Sequence, residues 1–349
     1  MFKYLSGVLG QDVGIDLGSA NIVVYVKDKG IVLSEPSVVA VRKLPRGKGL
    51  EIIAAGRDAK AMAGKVPTGI DAIWPLQEGV IANFDMTEEL IRYCLRKVGG
   101  GSISHPRVVI SVPAEVTEVE RKAVVDATLG AGASEAYVVE EPISAALGAG
   151  LPIDKPSGCM VIDIGGGTSE ASVISLGGIV VKQSLRTAGR MMDNAIIGMI
   201  RQRYALLIGE TTAEEVKNTI GSALPLSPEL EMAVKGRDLS NGLPKIDNVS
   251  SVEVREALEP IFTSIEEMVK VALEKMPPEL AKDVVDRGII LTGGVALLKS
   301  FAERLSRTIN TPVIVAEEPM FSVAIGVGKI LENLGAMRRV LTSIERGSR

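Results

Sequence analysis

The chain has 349 residues, of which 46% are hydrophobic, and its formal net charge is −4. This length exceeds what one ordinary hydrophobic core serves, so two domains are expected. Lysine and arginine are scattered, and no apolar run reaches the roughly 18 residues of a membrane span, which argues against nucleic-acid binding and against a bilayer-crossing segment. The two cysteines are far apart in the sequence, which excludes a cysteine zinc site and fits a reducing cytoplasm. The single histidine argues against catalysis by a Ser-His-Asp triad and against a histidine metal site.

Strand patterns rich in Val and Ile alternate with helical patterns along the chain, which predicts an α/β fold. In chain order we expect strands at 22–26 and 107–112, a helix at 117–132, strands at 159–164 and 171–176, helices at 192–208 and 250–276, a strand at 288–293 and a helix at 296–309. Clusters of glycine, proline and polar residues predict loops at 45–49, 64–69, 99–106, 221–228 and 240–248, and residues 336–349 are expected to form a frayed polar tail.

One pattern occurs twice. "VGIDLGSANIVVYV" from Val13 and "MVIDIGGGTSEASVIS" from Met160 each contain an apolar strand, an aspartate, a turn of small and hydroxyl residues, and a second strand. Glycine turns present backbone N–H groups that bind phosphate oxygens, and Asp16 or Asp163 is suited to the hydrated Mg²⁺ of a nucleotide triphosphate. An ordinary hairpin turn explains either segment alone, but its repetition favours a phosphate-binding protein with two similar halves.

Other nucleotide motifs do not fit. No G-x-x-x-x-G-K-[ST] is present, because "GVGKI" (326–330) has Val323 where the first glycine should be. "GAGASE" (130–135) begins like a dinucleotide fingerprint but ends in Glu135 and follows a helical pattern instead of a strand.

Five segments together resemble the signature motifs of the actin, heat-shock chaperone ATPase and sugar kinase superfamily. In chain order they are "DLGSAN", "EEPISAALGAGLP" (140–152), "DIGGGTSE", "GIILTGGVALL" and "EPMFSVAIGVGKIL" (318–331), and this order matches that of the family. Further segments are similar to the MreB/Mbl family of bacterial actins: "GIVLSEPSVVAV" (30–41), "EGVIANF" (78–84), "VPAEVTEVERKAV" (112–124), "LLIGETTAEEVKNTIGSA" (206–223) and "MPPELAKDVVDRGIILTGG" (276–294). The resemblance covers nearly the whole chain.

The resemblance implies an actin-like two-lobed ATPase fold, built from duplicated ribonuclease H-like domains that close over a nucleotide. Lobe I would comprise 1–147 and 317–349, with an inserted subdomain at about 33–76. Lobe II would comprise 148–316, with an insertion at about 186–251.

The same resemblance implies the site residues. Those on the phosphate side are Asp16, Gly18, Ser19, Ala20, Asn21, Asp163, Gly165, Gly166, Gly167 and Thr168; those on the adenosine side are Gly189, Asp193, Glu214, Lys217, Gly221, Gly293 and Gly294. Asp16 and Asp163 would hold Mg²⁺, mainly through water. ATP is the expected nucleotide, with GTP as the alternative.

Glu141 matches the family residue that orients or deprotonates the water attacking the γ-phosphate. The alternative is a glutamate placed at a helix N-terminus by the helix dipole. Glu214 and Lys217 lie on one helix face and match adenine contacts, and the alternative is a solvated helical ion pair.

Three positions depart from the family pattern. Arg190 stands where an acidic residue is usual, Val295 where a third glycine is usual, and Ile325 where an arginine is usual. We expect Arg190 to affect the ribose contacts, and Val295 and Ile325 to affect the interdomain contact, the rate of nucleotide release or the packing of the filament.

A polymerising ATPase is favoured over a small-molecule kinase, which needs a catalytic aspartate and polar sugar contacts, and over a chaperone, which needs a further domain after the fifth motif. The resemblance implies slow ATP hydrolysis coupled to homopolymeric filaments of paired protofilaments that organise cell-wall synthesis and rod shape. It further implies a cytoplasmic protein, peripheral on the inner face of the cell membrane, with the elongation proteins RodZ, MreC and MreD as partners and no nucleic acid.

The amino terminus is expected to bind the membrane. As a helix, "MFKYLSGVL" places Met1, Phe2, Tyr4, Leu5, Val8 and Leu9 on one arc, and the predicted membrane contacts are Met1, Phe2, Leu5, Val8 and Leu9. Docking of these residues on the protein's own surface is the alternative, and a hydrophobic loop at 99–107 offers only Ile103.

Overall fold

The computed structural model describes residues 11–44, 50–99, 105–335, 337 and 340–346. Within these residues the chain divides into two compact units. Unit 1 comprises the described residues within 11–157, 174–179 and 321–346, and unit 2 comprises Gly158–Val173 and Val180–Met320. The sequence predicts lobes that are divided after residues 147 and 316, each with an inserted subdomain. This division stays a prediction.

Strands and helices are numbered along the chain. The strands are β1 (Val13–Leu17), β2 (Asn21–Val26), β3 (Gly30–Pro36), β4 (Val39–Lys43), β5 (Leu50–Ala55), β6 (Ile70–Ile73), β7 (Leu76–Gln77), β8 (Val80–Ile81), β9 (Arg107–Val112), β10 (Glu135–Glu140), β11 (Cys159–Ile164), β12 (Ser169–Ser175), β13 (Gly178–Leu185), β14 (Leu206–Leu207), β15 (Glu231–Asp238), β16 (Pro244–Ser250), β17 (Ile289–Thr292), β18 (Val313–Val315) and β19 (Leu341–Arg346). The helices are α1 (Arg57–Met62), α2 (Phe84–Val98), α3 (Glu118–Gly130), α4 (Glu141–Gly148), α5 (Gly189–Tyr204), α6 (Glu210–Ile220), α7 (Ser251–Glu274), α8 (Pro278–Arg287), α9 (Phe301–Ile309) and α10 (Ser322–Glu332), with a 3-10 helix at Gly294–Leu297.

Unit 1 contains a six-stranded sheet in the order β19-β10-β9-β1-β2-β3. Strands β1, β9 and β10 are parallel, and β2, β3 and β19 extend the sheet in antiparallel pairs. Ile15 pairs with Ile110 and Ile110 with Val138, and all three side chains are buried. Burial of the parallel strands on both faces explains why their sequences are continuous Val and Ile runs instead of alternating patterns.

Helices α4 and α10 pack against each other in unit 1 with their backbones in contact. A Cβ atom on Gly326 would overlap the carbonyl oxygen of Ser144, and one on Gly148 would overlap the carbonyl oxygen of Ser322. Only glycine permits this approach, so "GVGK" serves helix packing here and does not form a phosphate loop. A smaller sheet in the same unit, β5-β4-β6, lies within residues 39–73 and packs on α1.

Unit 2 contains a five-stranded sheet in the order β13-β12-β11-β17-β18. Strand β17 is parallel to both β11 and β18. Its helices enclose a core in which the rings of Phe262 and Phe301 lie 5.6 Å apart. A separate three-stranded sheet, β14-β15-β16, lies within residues 206–250.

The predicted strands at 22–26, 107–112, 159–164, 171–176 and 288–293 are confirmed in position, as are helices α3 and α7. Capping boxes explain where those two helices begin: Thr117 with Glu120, and Ser250 with Glu253. Among the residues that the structure describes, no helix has the length and apolarity needed to cross a membrane.

Four predictions of secondary structure are wrong: the bounds of two helices, one loop and the carboxy-terminal tail. The helix predicted at 192–208 ends at Tyr204, because Ala205 is left-handed (φ 50°) and Leu206–Leu207 pairs with β15. The helix predicted at 296–309 begins only at Phe301, after a 3-10 turn. The loop predicted at 240–248 contains most of β16, and the tail predicted to be frayed contributes β19, which pairs with β10. In each case a strand partner distant in sequence, or a tight turn, overrides the local pattern.

Candidate functional site

The first hairpin of unit 1 has its turn held by two hydroxyl groups. Asp16 lies near the end of β1, and residues 18–20 form the turn before β2. The Ser37 hydroxyl donates to the carbonyl oxygen of Gly18 at 2.6 Å, and the Gly79 N–H donates to the Ser19 hydroxyl at 3.0 Å. The predicted turn residues Gly18 and Ser19 are therefore fixed in place by residues that sequence analysis did not identify.

The three parallel strands of unit 1 end at one edge of the sheet. Asp16 lies near the end of β1, Ser111 near the end of β9, and Glu141 directly after β10. Carboxyl ends of parallel strands are where α/β sheets bind ligands. The structure thus brings Asp16 and Glu141, predicted from separate motifs, to the same edge.

Glu141 is the first residue of α4 and is only 7% exposed. It is followed by Pro142, and the N-cap residue Glu140 makes no side-chain cap hydrogen bond. A buried carboxylate at a helix N-terminus fits both the catalytic interpretation and the helix-dipole alternative, so the role of Glu141 stays a prediction.

The second hairpin lies in unit 2 and its turn is closed by backbone hydrogen bonds. The Gly165 N–H donates to the Thr168 carbonyl at 2.9 Å. At the start of α5, the N–H groups of Gly189 and Arg190 donate to the carbonyl oxygens of Gly165 and Gly166 at 3.1 and 2.9 Å. These hydrogen bonds join the turn to the N-terminus of α5. Arg190 contributes its backbone N–H, so this contact is independent of which side chain stands at position 190.

Asp163 in β11 is buried, and the Thr292 hydroxyl donates to its Oδ1 at 2.6 Å. Burial raises the pKa of the Asp163 carboxyl, and the hydrogen bond from Thr292 opposes that shift. Thr292 directly precedes the predicted Gly293 and Gly294, so the second hairpin and the glycine pair belong to one structural unit.

The Lys217 ammonium group lies 2.7 Å from Asp193 Oδ1 and donates to the Gly189 carbonyl at 3.1 Å. The Lys217 and Asp193 side chains are 12% and 14% exposed, so this ion pair between α6 and α5 is largely shielded from solvent. The alternative of a solvated pair concerned Glu214 with Lys217, and the role of those two residues stays a prediction. Burial raises the pKa of the Asp193 carboxyl, and Lys217 lowers it while Glu214 raises it further. Four predicted adenosine-side residues, Gly189, Asp193, Glu214 and Lys217, therefore lie close together.

The two glycines after β17, Gly293 and Gly294, have different surroundings. Gly293 has φ 84°, and a Cβ atom there would overlap the carbonyl oxygen of Ile164. A Cβ atom on Gly294 would meet no atom within 4 Å, so the space beside it is open. Val295, which replaces a usual glycine, is buried at 6% exposure.

In the described part of the chain, no three or more His, Cys, Asp or Glu side chains are grouped so that they could hold a metal ion by themselves. Mg²⁺ is typically bound by one or two carboxylates with waters and phosphate oxygens as the remaining ligands. Asp16 and Asp163, each beside its own phosphate-type turn, each offer one carboxylate, which fits Mg²⁺ that arrives with a nucleotide and does not fit a resident metal centre.

Sequence analysis missed Ser37, Gly79, Ser111 and Thr292. The sequence does contain a signal for Ser111 and Thr292, because "VVISV" and "IILTGG" each place one hydroxyl residue in an apolar strand. No local signal identified Ser37 or Gly79. The predicted membrane residues Met1, Phe2, Leu5, Val8 and Leu9, and the loop residue Ile103, lie outside the described residues.

Comparisons with known proteins identify the family of this chain. Residues 10–339 match the family described as MreB/Mbl protein. The chain is 47% identical over 334 residues to the cell shape-determining protein MreB of Escherichia coli K12, covering 95% of this chain and 96% of that protein. It is 45% identical over 328 residues to the cell shape-determining protein Mbl of Bacillus subtilis 168, covering 94% and 97%.

Solved structures of MreB5 of Spiroplasma citri have the same fold. The ADP-bound structure has a TM-score of 0.88 at 36% identity, covering 95% of this chain and 98% of that one, and the AMPPNP-bound structure has the same TM-score at 35% identity. The fold is therefore actin-like, as predicted. With a family match over nearly the full length and relatives at 45 to 47% identity, the chain belongs to the MreB/Mbl family.

Proposed function

We propose that this protein is a nucleotide-dependent cytoskeletal protein that determines cell shape, binds and hydrolyses ATP, and assembles with itself into filaments. The observation that carries the proposal is the pair of strands that contain Asp16 and Asp163 as their last residue but one, each followed by a tightly held turn of small residues. Its support from relatives is the cell-shape role named for the Escherichia coli and Bacillus subtilis proteins, and the ADP and AMPPNP bound in Spiroplasma MreB5.

The two turns would bind phosphate oxygens through backbone N–H groups, at residues 18–21 and 165–168. Asp16 and Asp163 would hold Mg²⁺ mainly through water, and the ion would supply charge neutralisation for the transferred phosphoryl group. The adenosine contacts would come from the cluster at the start of α5 with α6 and the glycine pair, which comprises Gly189, Asp193, Glu214, Lys217, Gly221, Gly293 and Gly294.

Glu141 would accept a proton from, or orient, the water that attacks the γ-phosphate. Its burial at the edge where β1, β9 and β10 end supports this role, because a carboxylate shielded from bulk water interacts more strongly with a nearby polar group.

The wider assignments rest on the family resemblance. We propose paired protofilaments, ATP with GTP as the alternative substrate, and a cytoplasmic location on the inner face of the cell membrane. RodZ, MreC and MreD are the proposed partners in cell-wall elongation.

The test is to compare the parent chain with Asp16→Ala and Asp163→Ala. Titration of a fluorescent ATP analogue with and without Mg²⁺ should show that both variants lose most of the Mg²⁺-dependent affinity, because each removes a carboxylate that holds the ion. Negative-stain images with Mg-ATP should show filaments for the parent chain and none for the variants. Asp286→Ala, at an exposed position near the end of α8, is the matched control and should behave like the parent.

Unchanged Mg²⁺-dependent affinity in both variants would remove the two aspartates from the site. A parent chain that transfers phosphate to a sugar, without forming filaments, would favour the kinase alternative on the same fold.

A further inference from the structure

Each hairpin aspartate receives a hydrogen bond from a hydroxyl on the neighbouring parallel strand. In unit 1 the donor is Ser111 on β9, and in unit 2 it is Thr292 on β17. Neither residue was assigned a function from the sequence, and both are buried, at 1% and 0% exposure.

In unit 1 the orientation of the Ser111 hydroxyl is set by the backbone. The Leu17 N–H donates to Ser111 Oγ at 3.4 Å, and Ser111 Oγ donates to Asp16 Oδ1 at 3.1 Å. A hydroxyl has one proton to donate, so accepting from Leu17 leaves that proton directed at the carboxylate. The strand that contains Asp16 thus takes part in holding its side chain.

In unit 2 the contact is shorter. Thr292 Oγ1 lies 2.6 Å from Asp163 Oδ1 and 3.4 Å from the Ile162 carbonyl oxygen. A distance of 2.6 Å is in the range of charge-assisted O–H···O⁻ bonds, so the proton is directed at Asp163.

The two hydroxyls occupy equivalent positions in the two sheets. Asp163 and Thr292 are direct register partners, and Asp16 and Ser111 each follow the paired residues Ile15 and Ile110. A hydroxyl in a buried apolar strand is costly unless it is hydrogen-bonded. Its presence at the same position twice, each time bonded to the aspartate, indicates a shared purpose.

We propose that Ser111 and Thr292 are positioning residues that hold the carboxylates of Asp16 and Asp163 in the orientation that receives nucleotide-bound Mg²⁺. This inference rests on the proposed function, because it concerns the same nucleotide site. Groups that orient metal-binding side chains set metal affinity without touching the ion, and losing one typically costs about 10- to 100-fold.

The test compares Thr292→Val, which keeps the side-chain shape but removes the hydroxyl, with Thr292→Ser, which keeps the hydroxyl. The measured quantity is the Mg²⁺ gain, defined as the dissociation constant for ATP in EDTA divided by that in Mg²⁺, obtained by calorimetric titration. Thr292→Val should lower the gain about 10-fold or more with unchanged affinity in EDTA. Thr292→Ser should keep the gain of the parent chain.

Ser111→Ala should likewise lower the gain and leave the affinity in EDTA unchanged. Its matched control is Ser172→Ala, because Ser172 is a buried serine whose hydroxyl has no hydrogen-bond partner among the described residues. Ser172→Ala should retain the full gain.

If the parent chain shows a Mg²⁺ gain, three results would overturn this inference and leave the proposed function standing. The first is an unchanged gain in Thr292→Val and Ser111→Ala, and the second is an equal loss of ATP affinity with and without Mg²⁺. The third is a loss of gain in Thr292→Ser as large as that in Thr292→Val. An equal loss would mean that the hydroxyls serve only the fold. A parent chain without any Mg²⁺ gain would overturn the proposed function and this inference with it.

Discussion

Glu141 and Glu140 are adjacent carboxylates in different environments. Glu140 ends β10 and is half-buried, whereas Glu141 begins α4 and is 7% exposed. The family resemblance predicts that Glu141, and not Glu140, activates the attacking water. Substituting each glutamate in turn therefore tests that predicted role against a neighbouring carboxylate.

Glu141→Gln should slow phosphate release by roughly 10²- to 10⁴-fold, the usual contribution of a general base, with nearly unchanged ATP affinity. Filaments formed with ATP should persist longer, because hydrolysis is delayed. Glu140→Gln is the matched control and should hydrolyse ATP at the parent rate. Parent-like phosphate release from Glu141→Gln would leave the helix-dipole interpretation as the better one.

Glu229 illustrates how a surface carboxylate responds to pH. The hydrogen bond from the Arg255 guanidinium, followed by that from the Ser251 hydroxyl, lowers the pKa of Glu229 from 4.5 to about 2. A pKa lowered in the folded state means that the stabilisation is present above pH 4.5 and is lost as the pH falls towards 2.

Glu229→Gln should therefore lower the free energy of unfolding at pH 7, and its difference from the parent should shrink between pH 4.5 and 2. Urea denaturation at a series of pH values measures this difference. Glu231→Gln, at an exposed position two residues further on, is the control and should show little difference at any pH. A difference for Glu229→Gln that is constant with pH would exclude the ion pair as its cause.

Helix α7 shows how a local signal defines an element. It begins with a capping box in which Ser250 Oγ accepts from the Glu253 N–H at 3.3 Å, and the Ser250 N–H donates to Glu253 Oε2 at 3.0 Å. The buried face includes Leu258, Phe262 and Ile265, so the helix start also sets which residues enter the core of unit 2.

Ser250→Ala should lower the free energy of unfolding by about 1 kcal/mol, because one N-terminal N–H of the helix loses its acceptor. Urea denaturation followed by circular dichroism measures the change. The control is Thr263→Ala on the exposed side of the same helix, where the hydroxyl donates to the Glu259 carbonyl one turn earlier. Equal effects of the two substitutions would show that the cap contributes nothing specific.

At the scale of the whole molecule, the two units repeat one plan. In each, a strand with an aspartate as its last residue but one lies between its hairpin partner and a parallel strand: β2-β1-β9 in unit 1 and β12-β11-β17 in unit 2. The actin-like fold therefore presents two related phosphate-type turns in one chain, which is why a nucleotide-dependent polymer is the proposed function.

Membrane attachment is predicted from sequence to depend on the polymer, through Phe2, Leu5, Val8 and Leu9. One short amphipathic segment binds weakly, whereas many copies in a filament raise the avidity by about 10²- to 10⁴-fold. Filaments should co-sediment with anionic liposomes, and deletion of residues 2–9 should abolish this. Ser6→Gln, on the polar face of the predicted helix, is the control. Full co-sedimentation of truncated filaments would assign the anchor to another segment.

Local patterns were sufficient for much of this protein. Strands of Val and Ile, capping residues at Thr117 and Ser250, and the small-residue turns after Asp16 and Asp163 are all short-range features. Backbone propensity and turn chemistry act within a few residues, so the repeated hairpins and the α/β class were predictable before any packing was known.

Other features depended on tertiary structure. Strands β16 and β19 were predicted as loop and tail, because their sequences are polar and their pairing partners lie elsewhere in the chain. Likewise, Lys217 pairs with Asp193 on another helix, and Thr292 bonds to Asp163 across two strands. A side chain's partner is chosen by which elements pack together, and no local propensity contains that information.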